Sequence, residues 1–210
     1  MAVYCVRAGF LAPPAKTRGF GMTQTWSRWS IVADCWGWGN GVQVDGMANV
    51  AYLSLGSNLG DRGEQLRLAI SRLASHGRVL SVSSFYETEP VEVSDQPWFL
   101  NCAVALETSE PPSQLMSSLL AIERGMGRER IREKGPRTVD IDILLYGDRV
   151  VNTEELTVPH PAMARRRFVL EPLAEIAGEV RHPVVGKTVH ELLAELPAGQ
   201  SVRRVEAREE

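Results

Sequence analysis

Apolar positions recur along the chain with two periods, and their order predicts the fold. Residues 49–56 (NVAYLSLG) form a short apolar, β-compatible run and read as a strand. Asp61 then offers a helix N-cap with Glu64 three residues on, and Leu66, Ala69, Ile70 and Leu73 follow at helical spacing. Residues 78–86 are a second strand candidate, and 87–97, with two prolines, read as a loop. Residues 98–107 are a third strand with strict alternation. Leu100, Cys102, Val104 and Leu106 face one way; Phe99, Asn101, Ala103 and Ala105 face the other. Pro111 and Pro112 open a second helix with the stripe Leu115, Leu119, Ile122, Met126. A basic, glycine-containing loop spans 125–138. A fourth strand follows at 139–146, with Val139, Ile141, Ile143 and Leu145 on its buried face. Beyond it lie short extended pieces around Val150 and Val158, an apolar run from Phe168, and a last helix. That helix opens on a Thr188-x-x-Glu191 capping box and buries Val189, Leu192, Leu193 and Leu196.

The order is βαββαβ with C-terminal additions. It predicts an α+β chain with a ferredoxin-like layout, in which an antiparallel sheet carries helices on one face. The other face is then open to a ligand.

Composition changes this picture at the N-terminus. Four of the five tryptophans and seven of the eighteen glycines precede Met47. Residues 1–47 hold four basic and two acidic side chains and the remainder 19 and 24, so the head carries +2 and the body −5 of the net −3. Residues 1–47 show no clear period and read as a disordered or mis-started extension, with 48–200 as the domain and 201–210 as a charged tail. A net negative chain has no overall attraction for nucleic acid or an anionic membrane. No stretch reaches the ~18 apolar residues of a membrane helix. Three cysteines without metal-ligand spacing point to a reducing, cytoplasmic setting rather than a disulfide framework.

The sharpest chemical feature is Asp140-Ile141-Asp142 within the fourth strand. Residues i and i+2 share a face about 6–7 Å apart, and two like charges there repel. Divalent cations relieve that repulsion, and Mg²⁺ commonly takes one or two carboxylates and completes its shell with phosphate oxygens and water. Alone, the pair is equally compatible with two solvated aspartates. Upstream lies a dense cationic loop of Arg124, Arg128, Arg130, Arg132, Lys134 and Arg137, whose guanidinium forks suit phosphate oxygens. His160 stands between Pro159 and Pro161 as a fixed hydrogen-bond donor. Phe99 and Asn101, on the strand face opposite the core stripe, pair a stacking ring with an amide, as recognition of a flat heterocycle requires. No P-loop, Rossmann glycine motif, kinase signature or nucleophile elbow is present in the sequence.

These residues fall in blocks. Leu55-Gly56-Ser57-Asn58-Leu59-Gly60, Ser84-Phe85-Tyr86-Glu87-Thr88, Asp95-Gln96-Pro97 with Phe99-Leu100-Asn101, Gly135-Pro136-Arg137-Thr138-Val139-Asp140-Ile141-Asp142 and Pro159-His160-Pro161 strongly resemble the 6-hydroxymethyl-7,8-dihydropterin pyrophosphokinases of folate biosynthesis. The resemblance runs from about Val50 to Leu196. It implies an ATP-dependent diphosphotransferase that moves the diphosphate of ATP to the pterin hydroxymethyl group and releases AMP. It implies that Asp140 and Asp142 hold two Mg²⁺ ions. Arg128, Arg137, Asp140 and Asp142 are then the catalytic residues. Glu123, Arg130, Arg137, Thr157, His160 and Arg166 contact ATP; Thr88, Val91, Phe99, Asn101 and Phe168 contact the pterin. No nucleic acid, membrane or obligate protein partner is expected. Two positions depart from the family pattern: Glu133 stands where a basic residue is usual, and Glu155 where an arginine often precedes Leu-Thr-Val-Pro-His. Two other readings compete. A different two-metal nucleotidyl or phosphoryl transferase would not need Phe99, Asn101 and Phe168, and a non-catalytic ligand sensor would not need the aspartate pair or the arginine loop.

Overall fold

The computed structural model describes residues 48–90, 97–127, 137–197, 199 and 201–205. The expected 1–47 extension therefore lies outside the described residues, as do Val91, Arg128 and Arg130.

The strands are β1 (Asn49–Ser57), β2 (Arg78–Val82), β3 (Phe85–Thr88), β4 (Phe99–Thr108) and β5 (Asp140–Tyr146), then β6 (Val151–Asn152), β7 (Thr157–Val158) and β8 (Val202–Val205). Helices α1 (Arg62–Leu73), α2 (Pro112–Gly125), α3 (Arg167–Ala177) and α4 (Val189–Glu195) alternate with them, with a single 3₁₀ turn at Met163–Arg165. The main sheet is antiparallel, in the order β5-β1-β4-β3-β8, and β2 also pairs with β4; β6 and β7 form a separate small hairpin. This is the ferredoxin-like order, with β2 and β3 together taking the place of one strand.

That division corrects the single strand expected over residues 78–86. β2 pairs with residues 104–107 of β4 and β3 with 99–101. At the break Ser83 keeps the ladder closed: its N–H donates to Ala103 O (2.9 Å), and its hydroxyl accepts from Ala103 N (2.9 Å). Ser83 satisfies both backbone groups of Ala103, the carbonyl through its own N–H and the N–H through its hydroxyl, so the strand bends without orphaning the backbone of β4.

α1 and α2 form as their spacing predicts. Asp61 accepts from Glu64 N (2.9 Å), and Leu66, Ala69 and Leu73 are buried, as are Leu115, Leu119, Ile122 and Met126. With the Leu100, Cys102, Val104 and Leu106 face of β4 they build the first core.

The second face of the sheet is not left open along its whole length. α3, α4 and the 3₁₀ turn before them cover part of it through Met163, Val169, Leu170, Leu173, Val189 and Leu192, packed on Ala103, Leu144 and Leu145. α3 escapes the sequence pattern because Pro172 lies inside it, where a breaker is expected. Burial of an apolar stripe outweighs that local penalty. Leu145 is itself a correction. Tyr52 pairs with Leu145 but Leu53 with Ile143, so Leu144 is a bulge that shifts the alternation. Tyr146 then takes the first-core side and Leu145 turns toward α3.

The last correction concerns residues 202–205, expected in a charged tail. They form β8 on the free edge of β3, with Arg203 reaching Glu87 and Arg204 reaching Ser84 and Glu175. Glu175 of α3 also accepts from Ser84 N and Tyr86 OH (both 2.9 Å), so it joins helix to sheet. The capping box of α4 is present, with Thr188 Oγ1 accepting from Glu191 N and Glu191 Oε2 from Thr188 N.

Candidate active site

Strand register assembles the site on the part of the second face that lies outside the apolar cluster of α3 and α4. Gly56 of β1 pairs with Asp140 on one side and Asn101 on the other, and Asn101 pairs in turn with Tyr86. Directly opposed residues in an antiparallel pair share a face, so Asp140, Gly56 and Asn101 form one row, about 10 Å across two strand spacings. The next row is Asp142, Ser54, Ala103. Asp140 and Asp142 therefore flank one edge of a surface whose opposite side is Asn101 and Phe99.

Each member is held from behind. Ile141, between the aspartates, donates its backbone N–H to Glu123 Oε1 (2.7 Å). Glu123, expected among the ATP contacts, is only 2% exposed at the end of α2 and meets the aspartate strand from its core side. Arg137 pairs with Asp140 through Nη1 and Oδ2. Its backbone is pinned by Asn58, whose Oδ1 accepts from Arg137 N (2.8 Å) and whose N–H donates to Arg137 O (3.2 Å). The Asn58 amide also reaches Pro97 O (3.4 Å), so one buried asparagine ties together the chain before β4 and the chain before β5. Sequence reasoning gave Asn58 no role beyond its block. Its signal was a polar residue immediately after a buried strand, where a loop needs its hydrogen bonds met internally.

On the recognition side, Asn101 is 4% exposed and its Nδ2 donates to Thr88 Oγ1 (2.7 Å), with Thr88 equally enclosed. Phe99 is half-buried beside it.

His160 is hooked to the open edge of β5: its N–H donates to the carbonyl of the bulged Leu144 (2.9 Å). Its Nδ1 accepts from Ala162 N (3.2 Å), which leaves the proton of a neutral ring on Nε2. Burial holds its pKa below the ordinary value and Arg166 lowers it further, while Asp140 pulls it back. Neutral imidazole is thus the form near pH 7, and its Nε2–H is a hydrogen-bond donor. Arg166 lies over the Phe168 ring (5.7 Å to the centroid), and Phe168 packs at the margin of the α3 core. Thr157 is exposed on β7, where its hydroxyl meets Asn152 (3.5 Å).

A separate depression of about 700 Å³ lies at the start of α1, lined by Arg62, Glu87, Arg203 and Arg204 among others. Hydrogen bonds from Arg62 and Arg203 hold the Glu87 carboxyl below its usual range. It contains none of the expected site residues.

Among the described residues, no three His, Cys, Asp or Glu side chains cluster to enclose a metal. Two half-buried carboxylates on one strand face suit a cation that takes the rest of its shell from phosphate and water, as Mg²⁺ does. No helix among the described residues is long and apolar enough to cross a membrane.

Comparison with known proteins shows the family. The profile of the 7,8-dihydro-6-hydroxymethylpterin-pyrophosphokinase family matches residues 52–178. The chain is 50% identical over 136 residues to a 2-amino-4-hydroxy-6-hydroxymethyldihydropteridine pyrophosphokinase of Bacillus subtilis, covering 64% of this chain and 81% of that protein. It is 45% identical over 156 residues to a folic acid synthesis protein of Schizosaccharomyces pombe, covering 73% of this chain. It spans about a fifth of the length of the fungal folic acid synthesis proteins it matches, 19% in one case and 21% in the other. Among solved structures, a Plasmodium falciparum HPPK-DHPS with pteroate shares the fold at a TM-score of 0.57 and 17% identity, over 70% of this chain and 44% of that one.

Proposed function

The chain belongs to the 7,8-dihydro-6-hydroxymethylpterin-pyrophosphokinase family, and from that premise we propose that it transfers the β,γ-diphosphate of ATP to 6-hydroxymethyl-7,8-dihydropterin, a step of folate biosynthesis. The observation that carries this reading is the single row Asp140–Gly56–Asn101, which sets an acidic pair and a heterocycle-reading amide on one surface two strands apart.

In this reading the hydroxymethyl oxygen attacks the β-phosphorus of ATP, the bond from that phosphorus to the α,β-bridging oxygen breaks, AMP leaves, and the hydroxyl proton is released to solvent. The chain's part is positioning and charge stabilisation. Asp140 and Asp142 hold Mg²⁺, which supplies charge neutralisation on the polyphosphate when bound. Arg137, already anchored by Asn58, directs its guanidinium to the phosphates, joined by Arg128 and Arg130. His160 gives a neutral hydrogen bond from Nε2 to a phosphate oxygen. Arg166 and Thr157 complete the nucleotide contacts, and Glu123 acts from beneath by holding Ile141. Phe99 and Phe168 enclose the pterin ring, Asn101 reads its edge, and Thr88 and Val91 contact it through their backbone.

The test is direct. Protein, ATP, Mg²⁺ and the hydroxymethyl dihydropterin are mixed and nucleotides separated. AMP appearing with the pterin diphosphate supports the reading; ADP or pyrophosphate as the product, or none at all, overturns it.

A further inference from the structure

A glycine in the middle of a pleated sheet needs a reason, since it weakens a strand relative to a residue with a side chain. Gly56 has no backbone reason. The glycines with positive φ are Gly60, Gly127, Gly147, Gly186 and Gly199 among the described residues, and Gly56 is not one of them. Its reason is space. A Cβ built at position 56 would stand 2.6 Å from Asn101 Oδ1 and 3.9 Å from Phe99 Cδ1. The amide oxygen of Asn101 therefore lies across the bare backbone of Gly56. It cannot swing aside freely, because the nitrogen of the same amide is bonded to Thr88 Oγ1 at 2.7 Å and the residue is enclosed. Rotating the amide away breaks that bond inside a buried site, where the hydroxyl of Thr88 would lose its donor.

We infer that Gly56 is a positioning residue for pterin specificity: its missing side chain lets Asn101 lie flat on the sheet with the amide turned by Thr88, so that the oxygen faces the ligand row as an acceptor. This deepens the functional reading above and rests on it. Any side chain at 56 displaces the amide and with it the group that distinguishes the pterin edge. It does so at the pterin side of the row, because Asn101 and Phe99, not Asp140, are the nearest atoms to the missing Cβ.

The test is a double-mutant cycle in the full-length protein: wild type, Gly56→Ala, Asn101→Ala and the double variant. The readouts are the affinity for hydroxymethyl dihydropterin from its own fluorescence, the affinity for Mg²⁺-ATP from calorimetry, and the thermal midpoint. Gly56→Ala is expected to weaken pterin binding about tenfold or more, the loss of an oriented hydrogen bond, while ATP affinity stays within about twofold. In the Asn101→Ala background the same change is expected to alter pterin affinity by less than about twofold, because the atom it collides with is gone. The thermal midpoint should fall in Gly56→Ala and recover in the double variant. Should Gly56→Ala fail to fold, a folded double variant supports the steric argument and an unfolded one overturns it. Undiminished pterin binding in Gly56→Ala, or an equal loss in both backgrounds, also overturns it. A wild type that does not bind the pterin instead overturns the functional reading, so the two failures are distinguishable.

Discussion

The two halves of the sheet face opposite α1 and α2 are built from the same strands and differ in the side chains they present and in what packs on them. Toward one end, Ala103, Leu144 and Leu145 are sealed by α3 and α4, and the strands contribute small or aliphatic groups. Toward the other, the same β1, β4 and β5 present Gly56, Asn101, Asp140 and Asp142. The dry half is apolar packing; the other half carries polar groups, and three of its segments are held by a named partner: Glu123 under Ile141, Asn58 at Arg137, Thr88 at Asn101. The lesson is that helix coverage decides where chemistry is placed on a continuous sheet. The bulge at Leu144 marks the seam, since it moves Leu145 into the dry half and gives its own carbonyl to His160.

Substitutions in the two halves should separate activity from stability. The largest effect is expected from Asp142→Ala, which should lower turnover at least about a hundredfold, the scale of losing a positioned charge-stabilising group. Its fold should be retained. AMP release paired with thermal melting checks both; a cooperative loss of fold would mean that the carboxylates are structural. Next is Leu170→Ala in the dry half, where a fully buried leucine leaves a cavity. A loss of about 2–5 kcal/mol in denaturant unfolding is expected, with turnover per folded molecule near wild type at low temperature. Asn101→Ala should raise KM for the pterin about tenfold and leave KM for ATP nearly unchanged, as read from initial rates with each substrate varied. Thr188→Ala removes the capping box of α4 and should lower unfolding free energy by about 1 kcal/mol, without effect on either KM.

The smallest effect is on pH dependence. His160 and His182 both have depressed pKa values, chiefly from burial. The unfolded chain takes up these protons near pH 6.5 while the folded protein resists them to lower pH. Their contribution to stability is therefore present above about pH 6.5 and declines on acidification. Replacing His160 by Gln should shallow that decline, with His182 supplying the remainder, as measured by denaturation midpoints across that range.

Much of this was legible from residue order. The caps at Asp61 and Thr188, the stripes of α1 and α2 and the alternation of β4 need only local periodicity, and each is found as expected. The Asp140 and Asp142 pair is likewise a local fact of strand geometry. α3, the split at Ser83, the strand β8 and the side taken by Leu145 were not legible. Each depends on a partner distant in sequence: the bare sheet face for α3, Ala103 for Ser83, the edge of β3 for β8, and the pairing with Tyr52 for Leu145.

By itself the sequence determined which residue types were available for chemistry and which elements carry them, because helix and strand periods are properties of neighbouring residues. It also determined the family, through blocks of residues whose order and spacing recur. Only the tertiary structure decided that Asp140, Gly56 and Asn101 stand in one row, and that Asn58 and Glu123 hold the site from behind. Register and burial are relations between segments 18 to 79 residues apart for these two supports, and no local pattern encodes them. They are set when two apolar cores form on opposite faces of one sheet and leave the polar row outside both.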